Sequence, residues 1–577
     1  MKKSLFLFCP VLVGSMGIVL VKNNFKPTTL FEQEQRTNSL TVISCAPGAT
    51  ENIYADKNGK FISVLPGWGK HSYTITTKND STQFYFNQGL SMYYSYHSTE
   101  AIASFKEAAK FDSTCAMAYW GQALAMGPDY NFGYRYKMGS GVAAVIEQMN
   151  RNVEQASAKE RALINAMNRR YNLTDPEDKK RKQLNEDYAE ALKPLVAKYP
   201  DDLGVKAFYT DAVMLVHPWT FWNNNGTPKP WTPELVQYCN DILKQDPHHP
   251  AGLHYYIHIV EASRKPEVAL ASADSLIKLF PGMAHMVHMS SHMYERIGYY
   301  AKGVAANEEA DRSLGRYASL AKGLNLALHA SHYFAVDAYC ALSGAMYQKA
   351  LPKAMTLRSL INPTYESTYS QYLYMFPQLA MIRMGKWQDI LHDTSTINSK
   401  WTYAGILNDF AKGMACAKTG VYTQAEKHLE QLREKQKDTI LRIRFAPHRS
   451  SPYECSVVAE HILLANTAFN QKKYNEAFTA IQKAILAEDS LTYAEPNIWM
   501  LPARQYLGAF LLMLKKPKEA EKVYREDLVW NPGNGWSLLG LYQALKAQQN
   551  TGELKKLKQL YMNSFSGADE VPSGSVY

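Results

Sequence analysis

The chain has 577 residues, 46% of them hydrophobic and 20% charged, with 63 basic against 53 acidic side chains and a formal net charge of +10. Those proportions describe a large folded protein and exclude a disordered chain. The positive charge is scattered, with no basic block beyond short runs such as that at 179–182, so we read a solvated surface and expect no nucleic-acid partner.

The chain opens with two lysines and an apolar run from Ser4 to Val21, the pattern of an export signal. Residues 1–24 are assigned to a signal peptide or, because no clear small-x-small cleavage site follows, to an uncleaved N-terminal anchor. An exported protein of the periplasm or cell envelope is expected, touching the membrane only through that anchor. The six cysteines after Cys9 are isolated, with no CxxC pair; they suit an oxidising compartment and one or two disulfides, and exclude a thiolate zinc site. Residues 25–80, rich in Gly, Thr, Asn and Lys, read as an extended lead segment.

From residue 81 the chain repeats itself. A small residue at Gly508 is followed by Ala520, Tyr524 and a closing Pro532. Matching offsets recur at Gly89, Ala101, Phe105 and Ala108; at Gly413, Gly420, Ala425 and Leu429; and at Ala465, Ala477, Ile481 and Ala484. This resembles the tetratricopeptide repeat, two antiparallel helices in about 34 residues, with small residues where the helices cross and large ones filling the gap between units. The fold predicted for 81–563 is therefore all-α: a tetratricopeptide-like solenoid of helical hairpins wound into a superhelix. No stretch alternates as a strand, and residues 564–577 read as a disordered tail.

The segment 217–231 interrupts the pattern with three tryptophans, three prolines and an asparagine run. It reads as a long loop, either an aromatic plug on the solenoid or a lid that stacks on a substrate.

Nine of the sixteen histidines fall between His248 and His332. His254, His258 and Glu261 are spaced i, i+4, i+7, and His285, His288 and His292 are spaced i, i+3, i+7, so each set shares one helical face. Taking Pro281 as the end of one unit and Gly298 as the inter-helix glycine of the next places both sets on the concave surface, where a third helix adds His332. Helices packed about 8–10 Å apart can bring such side chains to a single ion, so the histidine-rich groove at 246–332 is the candidate metal site. His258 and His292 are the leading ligands; His254, Glu261, His285, His288 and His332 are further ligands or partners that fix the ring tautomers. Imidazole with one carboxylate suits zinc, copper or iron. His248 and His249, beside prolines, read as connector residues. His97 with Glu100 at a hairpin turn, and Asp129 in a loop, read as capping or packing groups that a superhelix could bring near the groove.

The segments 115–131, 246–263 and 282–298 resemble a family of exported bacterial tetratricopeptide-repeat proteins carrying the HYYIH and HMVHMSSH motifs. The resemblance implies the repeat fold and places His254, His258, Glu261, His285, His288 and His292 in the family's motif, without implying an activity. No HExxH, phosphate-binding GxxxxGK, nucleophile elbow or dinucleotide fingerprint occurs, and whether the protein is an enzyme stays open. Two readings follow: an exported metalloprotein, with or without metal-dependent catalysis on a ligand in the groove, or a non-enzymatic scaffold that binds a protein, peptide or small molecule there.

Overall fold

A helical hairpin needs a place where its two helices can approach closely, and small residues supply it. The computed structural model describes residues 53–131, 136–175 and 177–577; the segment assigned as signal or anchor lies outside these. The first pair, α1 (Asp80–Tyr94) and α2 (Ser98–Phe111), crosses at Gly89, where a Cβ would stand 2.8 Å from the Phe105 ring. Phe105 also faces Gly121 of α3 (Ala116–Ala125), so one ring fills the gap between successive units.

The hairpins continue through α4 (Val142–Arg151), α5 (Ala158–Arg169), α6 (Arg181–Lys198), α7 (Leu203–Val216) and α8 (Thr232–Gln245). The central ones are α9 (Pro250–Val260), α10 (Leu270–Leu279), α11 (Ala284–Arg296), α12 (Tyr300–Leu320), α13 (Ser331–Ser343) and α14 (Tyr347–Leu360). Then come α15 (Thr368–Tyr374), α16 (Phe376–Arg383), α17 (Trp387–His392), α18 (Thr402–Lys418), α19 (Tyr422–Lys435), α20 (Pro452–Asn470) and α21 (Tyr474–Asp489). The last four are α22 (Ala503–Met513), α23 (Pro517–Trp530), α24 (Gly535–Ala547) and α25 (Leu554–Ser564). Among the described residues no strand forms, and none of these helices is long and apolar enough to cross a membrane. The fold is the all-α, tetratricopeptide-like superhelix that the repeat predicts. Near its far end Tyr524 takes the part of Phe105, lying between Gly508 and Gly540 at 2.4 and 2.3 Å from their would-be Cβ atoms.

Eight of the hairpins turn through one left-handed residue: Tyr96, Gly298, Ala345, Gly385, Gly420, Lys472, Lys515 and Gln549. Only three are glycines, although the conformation costs about 1–2 kcal/mol for a residue with a Cβ. The shared geometry shows that the turn is set by the packing of the two helices it joins.

Two expectations are corrected. The tail beyond α25 is packed: Ser575 hydrogen-bonds to the Tyr524 hydroxyl at 2.7 Å and donates to the Gln505 carbonyl at 3.2 Å, and the Tyr577 ring stands 6.1 Å from that of Trp536. Its small residues and terminal aromatic fit the end of the solenoid, an option that composition alone hides. No disulfide forms among the described residues, where Cys115, Cys239, Cys340, Cys416 and Cys455 are all buried free thiols acting as small apolar fillers.

The superhelix closes on itself. From residue 53, where its described part begins, the lead segment has no helix before α1, yet it buries Ile62, Leu65 and Tyr73, and its Gly67 carbonyl accepts from the Gly282 amide at 3.1 Å. At the other end Gly298 lies against Gly533, where a Cβ on Gly298 would stand 2.0 Å from the Gly533 carbonyl oxygen. Two large apolar cores result, one spanning residues 53–326 and the other 300–577, and they meet around α12. The histidine helices lie at that junction.

Candidate metal centre

α9 begins at Pro250, whose fixed φ suits a first helical turn, and His249 caps it by accepting from the Gly252 amide at 3.3 Å. The helix then points His254 and His258 inward one turn apart. α11 presents His285, His288 and His292, and α13 brings His332 to the same place. All six rings are at most 1% exposed. The sequence-based picture of an open groove is thus corrected: the surface is concave, but the second half of the chain covers it.

Four of the rings, His254, His258, His288 and His292, are held through Nδ1 and turn Nε2 inward. His254 Nδ1 lies 2.6 Å from the Tyr94 carbonyl oxygen, which only accepts, so its proton sits on Nδ1 and the lone pair on Nε2. His288 Nδ1 lies 2.7 Å from Asn307 Oδ1, and Asn307 is itself oriented by donating to the Gly303 carbonyl at 2.9 Å. Glu261 holds two rings at once, with Oε1 3.1 Å from His258 Nδ1 and Oε2 2.9 Å from His292 Nδ1. Such contacts fix tautomer and ring orientation in histidines that ligate metals. Glu261, a candidate ligand from sequence, therefore stands behind the rings with both oxygens engaged.

The inward nitrogens crowd together. His254 Nε2 lies 3.0 Å from His285 Nε2, and His292 Nε2 lies 3.0 Å from His288 Nε2. His258 Nε2 is buried without a hydrogen-bond partner among the described residues. The sequence suggested convergence on one ion; the donors instead sort into two triads, His254, His258 and His285, and His288, His292 and His332, each with its donor atoms within 4.8 Å of one another. A third grouping joins Glu261, His292 and Glu495.

Burial sets the charge state. It pushes His254 down to about 3, and His258, His288 and His332 well below the ordinary histidine range, with neighbouring imidazoles adding to the effect in each. Burial also lowers His292. These five rings are neutral at ordinary pH, which is the ligand form. Burial lifts Glu261 well above the usual carboxylate range, against the pull of Arg296 and Arg449, and lifts Glu495 to about 7, helped by the charge of Glu261.

Several participants escape a reading of the sequence. Tyr96, at a left-handed turn, lays its ring 4.7 Å from that of His254 and 5.2 Å from that of His285. Arg449 and Glu495 come from irregular connections before α20 and α22, more than 150 residues beyond the motif, and no spacing ties them to it. Asn307 sits one helical turn after Gly303 on the partner helix, and only the hairpin register could have pointed to it. Trp219 of the tryptophan-rich loop stands edge-on to His258 at 5.7 Å and stacks on His448 at 5.6 Å. The other two tryptophans brace the loop, Trp222 donating to the Ile259 carbonyl at 2.7 Å and Trp231 to the Thr220 carbonyl at 3.1 Å. The loop is an aromatic plug over the rings.

The remaining candidates lie at the edge. His97 Nδ1 lies 2.8 Å from Glu100 Oε1, and its Nε2 accepts from the His285 amide at 3.5 Å. Asp129 accepts from the Asn131 amide at 2.9 Å, a turn contact. His248 is exposed.

No protein-family model matches the chain, and no curated protein matches it in sequence. Among solved structures it is similar to a human IFIT1 dimer with m7Gppp-AAAA, at 13% identity over 78% of this chain and 89% of that one, with a TM-score of 0.33. It is also similar to yeast Tom70, at 12% identity over 83% and 92% of the two chains with a TM-score of 0.27, and to the TPR domain of P58(IPK), at 13% identity over 59% and 92% with a TM-score of 0.17. Likenesses this distant say nothing about the histidines, so the functional argument rests on the chain's own geometry.

Proposed function

We propose that the chain is a metalloprotein that holds a transition metal through the inward nitrogens of His254, His258, His285, His288, His292 and His332. The observation that carries this is the pair of 3.0 Å contacts between Nε2 atoms, with three of the four rings, His254, His288 and His292, anchored through Nδ1. With His288 and His292 both protonated at Nδ1, two lone pairs face each other, an arrangement that a shared cation relieves. Two nitrogens bound at about 2.0–2.1 Å to one tetrahedral zinc stand roughly 3.3 Å apart, close to this spacing. Zinc, copper and iron all suit the donors.

The scaffold reading, in which histidines line a groove for a protein or peptide, would need exposed rings. Hairpin solenoids do present surfaces to such partners, but here a partner would meet other residues. Whether the metal serves catalysis is a question for the loaded protein. Export to the cell envelope remains part of the proposal and rests on residues 1–24 alone.

The test is metal analysis by plasma mass spectrometry on protein purified without chelator or histidine tag, beside His258→Ala and His292→Ala. Bound zinc, copper or iron that is reduced in both variants is expected. Stoichiometric metal retained in both would overturn the ligand assignment, and a wild-type chain empty after reconstitution with all three metals would overturn the reading itself.

A further inference from the structure

The six donors divide evenly, and the division has chemical content. Each triad takes two histidines four residues apart on one helix and a third from elsewhere: His254 and His258 with His285, and His288 and His292 with His332. The triads adjoin. The His285 and His288 rings stand 6.0 Å apart across the boundary, and those of His258 and His292 stand 6.4 Å apart. Neither all-histidine triad includes a carboxylate, because Glu261 spends both oxygens on Nδ1 atoms behind the rings.

We propose, building on the metal-binding reading above, that the centre is binuclear, one ion per triad, and that the ions are a copper(I) pair whose substrate is dioxygen. Charge decides the metal. Two dications side by side repel about fourfold more strongly than two monocations, by the product of their charges. Paired dications are ordinarily held together by bridging anions such as carboxylates, and these six donors are neutral. Copper(I) is the monovalent first-row ion that three imidazoles suit. Size and polarity favour the substrate: every donor ring is at most 1% exposed and Trp219, Tyr96 and Tyr130 wall the site, which suits a small neutral diatomic. In the step proposed, each copper(I) gives one electron and becomes copper(II). Dioxygen gains two electrons, its O–O bond order falls from two to one, and it lies between the ions with no proton needed. The reduced dioxygen carries the two negative charges that balance the extra charge on the coppers, so the net charge of the centre is unchanged.

The experiment loads the full metal-free chain anaerobically with copper(I), counts bound copper, admits dioxygen, and records electron paramagnetic resonance and optical spectra. Two coppers per chain, an intense near-ultraviolet band and no paramagnetic signal are expected, because paired copper(II) ions couple and cancel. His285→Gln and His332→Gln, each breaking one triad, should keep one copper and show a signal after oxidation with ferricyanide. One copper in the wild type, or two that both give signals, overturns the binuclear proposal while the metal-binding reading stands. Two zinc ions with no copper uptake overturn the copper and dioxygen assignment, and no metal of any kind removes the reading beneath both.

Discussion

Glu261 is the residue on which the chemistry turns. It orients one ring of each triad, and in the metal-free protein it offers a way to satisfy the crowded nitrogens. A proton on Glu261 can be donated to His292 Nδ1, which frees His292 Nε2–H to donate to His288 Nε2. A metal removes the need for that proton. Titration calorimetry in buffers of differing ionisation enthalpy should therefore show about one proton released per chain on metal binding near pH 7. Glu261→Gln keeps the size of the side chain but one oxygen, and should weaken metal affinity by about 10–100-fold without changing the number of ions bound. Unchanged affinity would mean that the carboxylate is a bystander. The i, i+4 and i, i+3 spacings were enough to find five of the rings and Glu261, because helical periodicity is local, and the register of the next repeat unit added His332. Asn307, Arg449 and Glu495 were invisible because their approach depends on how distant helices pack.

At the scale of the element, the left-handed turns give a paired prediction. Lys472 and Lys515 are exposed and have positive φ, so Lys472→Gly and Lys515→Gly should each stabilise the protein by about 1 kcal/mol by removing the Cβ strain. Gly298→Ala should do the opposite by about 2–4 kcal/mol, since its Cβ would meet the Gly533 carbonyl oxygen as well as the unfavourable φ. Thermal denaturation of the three variants checks both signs, and equal effects at all three turns would refute the distinction. The helix pairs themselves were legible from offsets such as Gly89 to Phe105 and Gly508 to Tyr524, since a ring facing a glycine is written into the repeat. The tail was misread because short polar stretches look alike whether or not a packing site awaits them.

For the whole molecule, burial of so many histidines ties stability to pH. His71 is held at about 4 and His448 at about 3, both by burial, as is His254. A histidine kept neutral in the fold takes its proton more readily when unfolded, where its value is near 6.5. Its contribution is therefore complete above pH 6.5 and is lost as pH falls toward 3–4. Glu495 works the other way: raised to about 7 from 4.5, it binds its proton first in the folded state, so acidification from 7 to 4.5 relieves a cost. Below 4.5 that relief is exhausted while the histidine loss continues. The melting temperature of the metal-free protein should begin to fall below about pH 6.5, with Glu495 offsetting only part of the loss from the three histidines, and fall more steeply below about 4.5; a melting temperature that stays flat from pH 7 to 4 would contradict these burial effects.

The contact of Gly298 with Gly533 also fixes an order of events. The two residues are brought together only after nearly the whole chain exists, and Arg449 and Glu495 arrive late as well. A chain still emerging from the ribosome would have its six imidazoles without the cover that seals them, free to lose whatever ion they met. Loading is thereby deferred to the finished protein, in whatever compartment it completes its fold, and the metal supply of that compartment decides which ion is trapped.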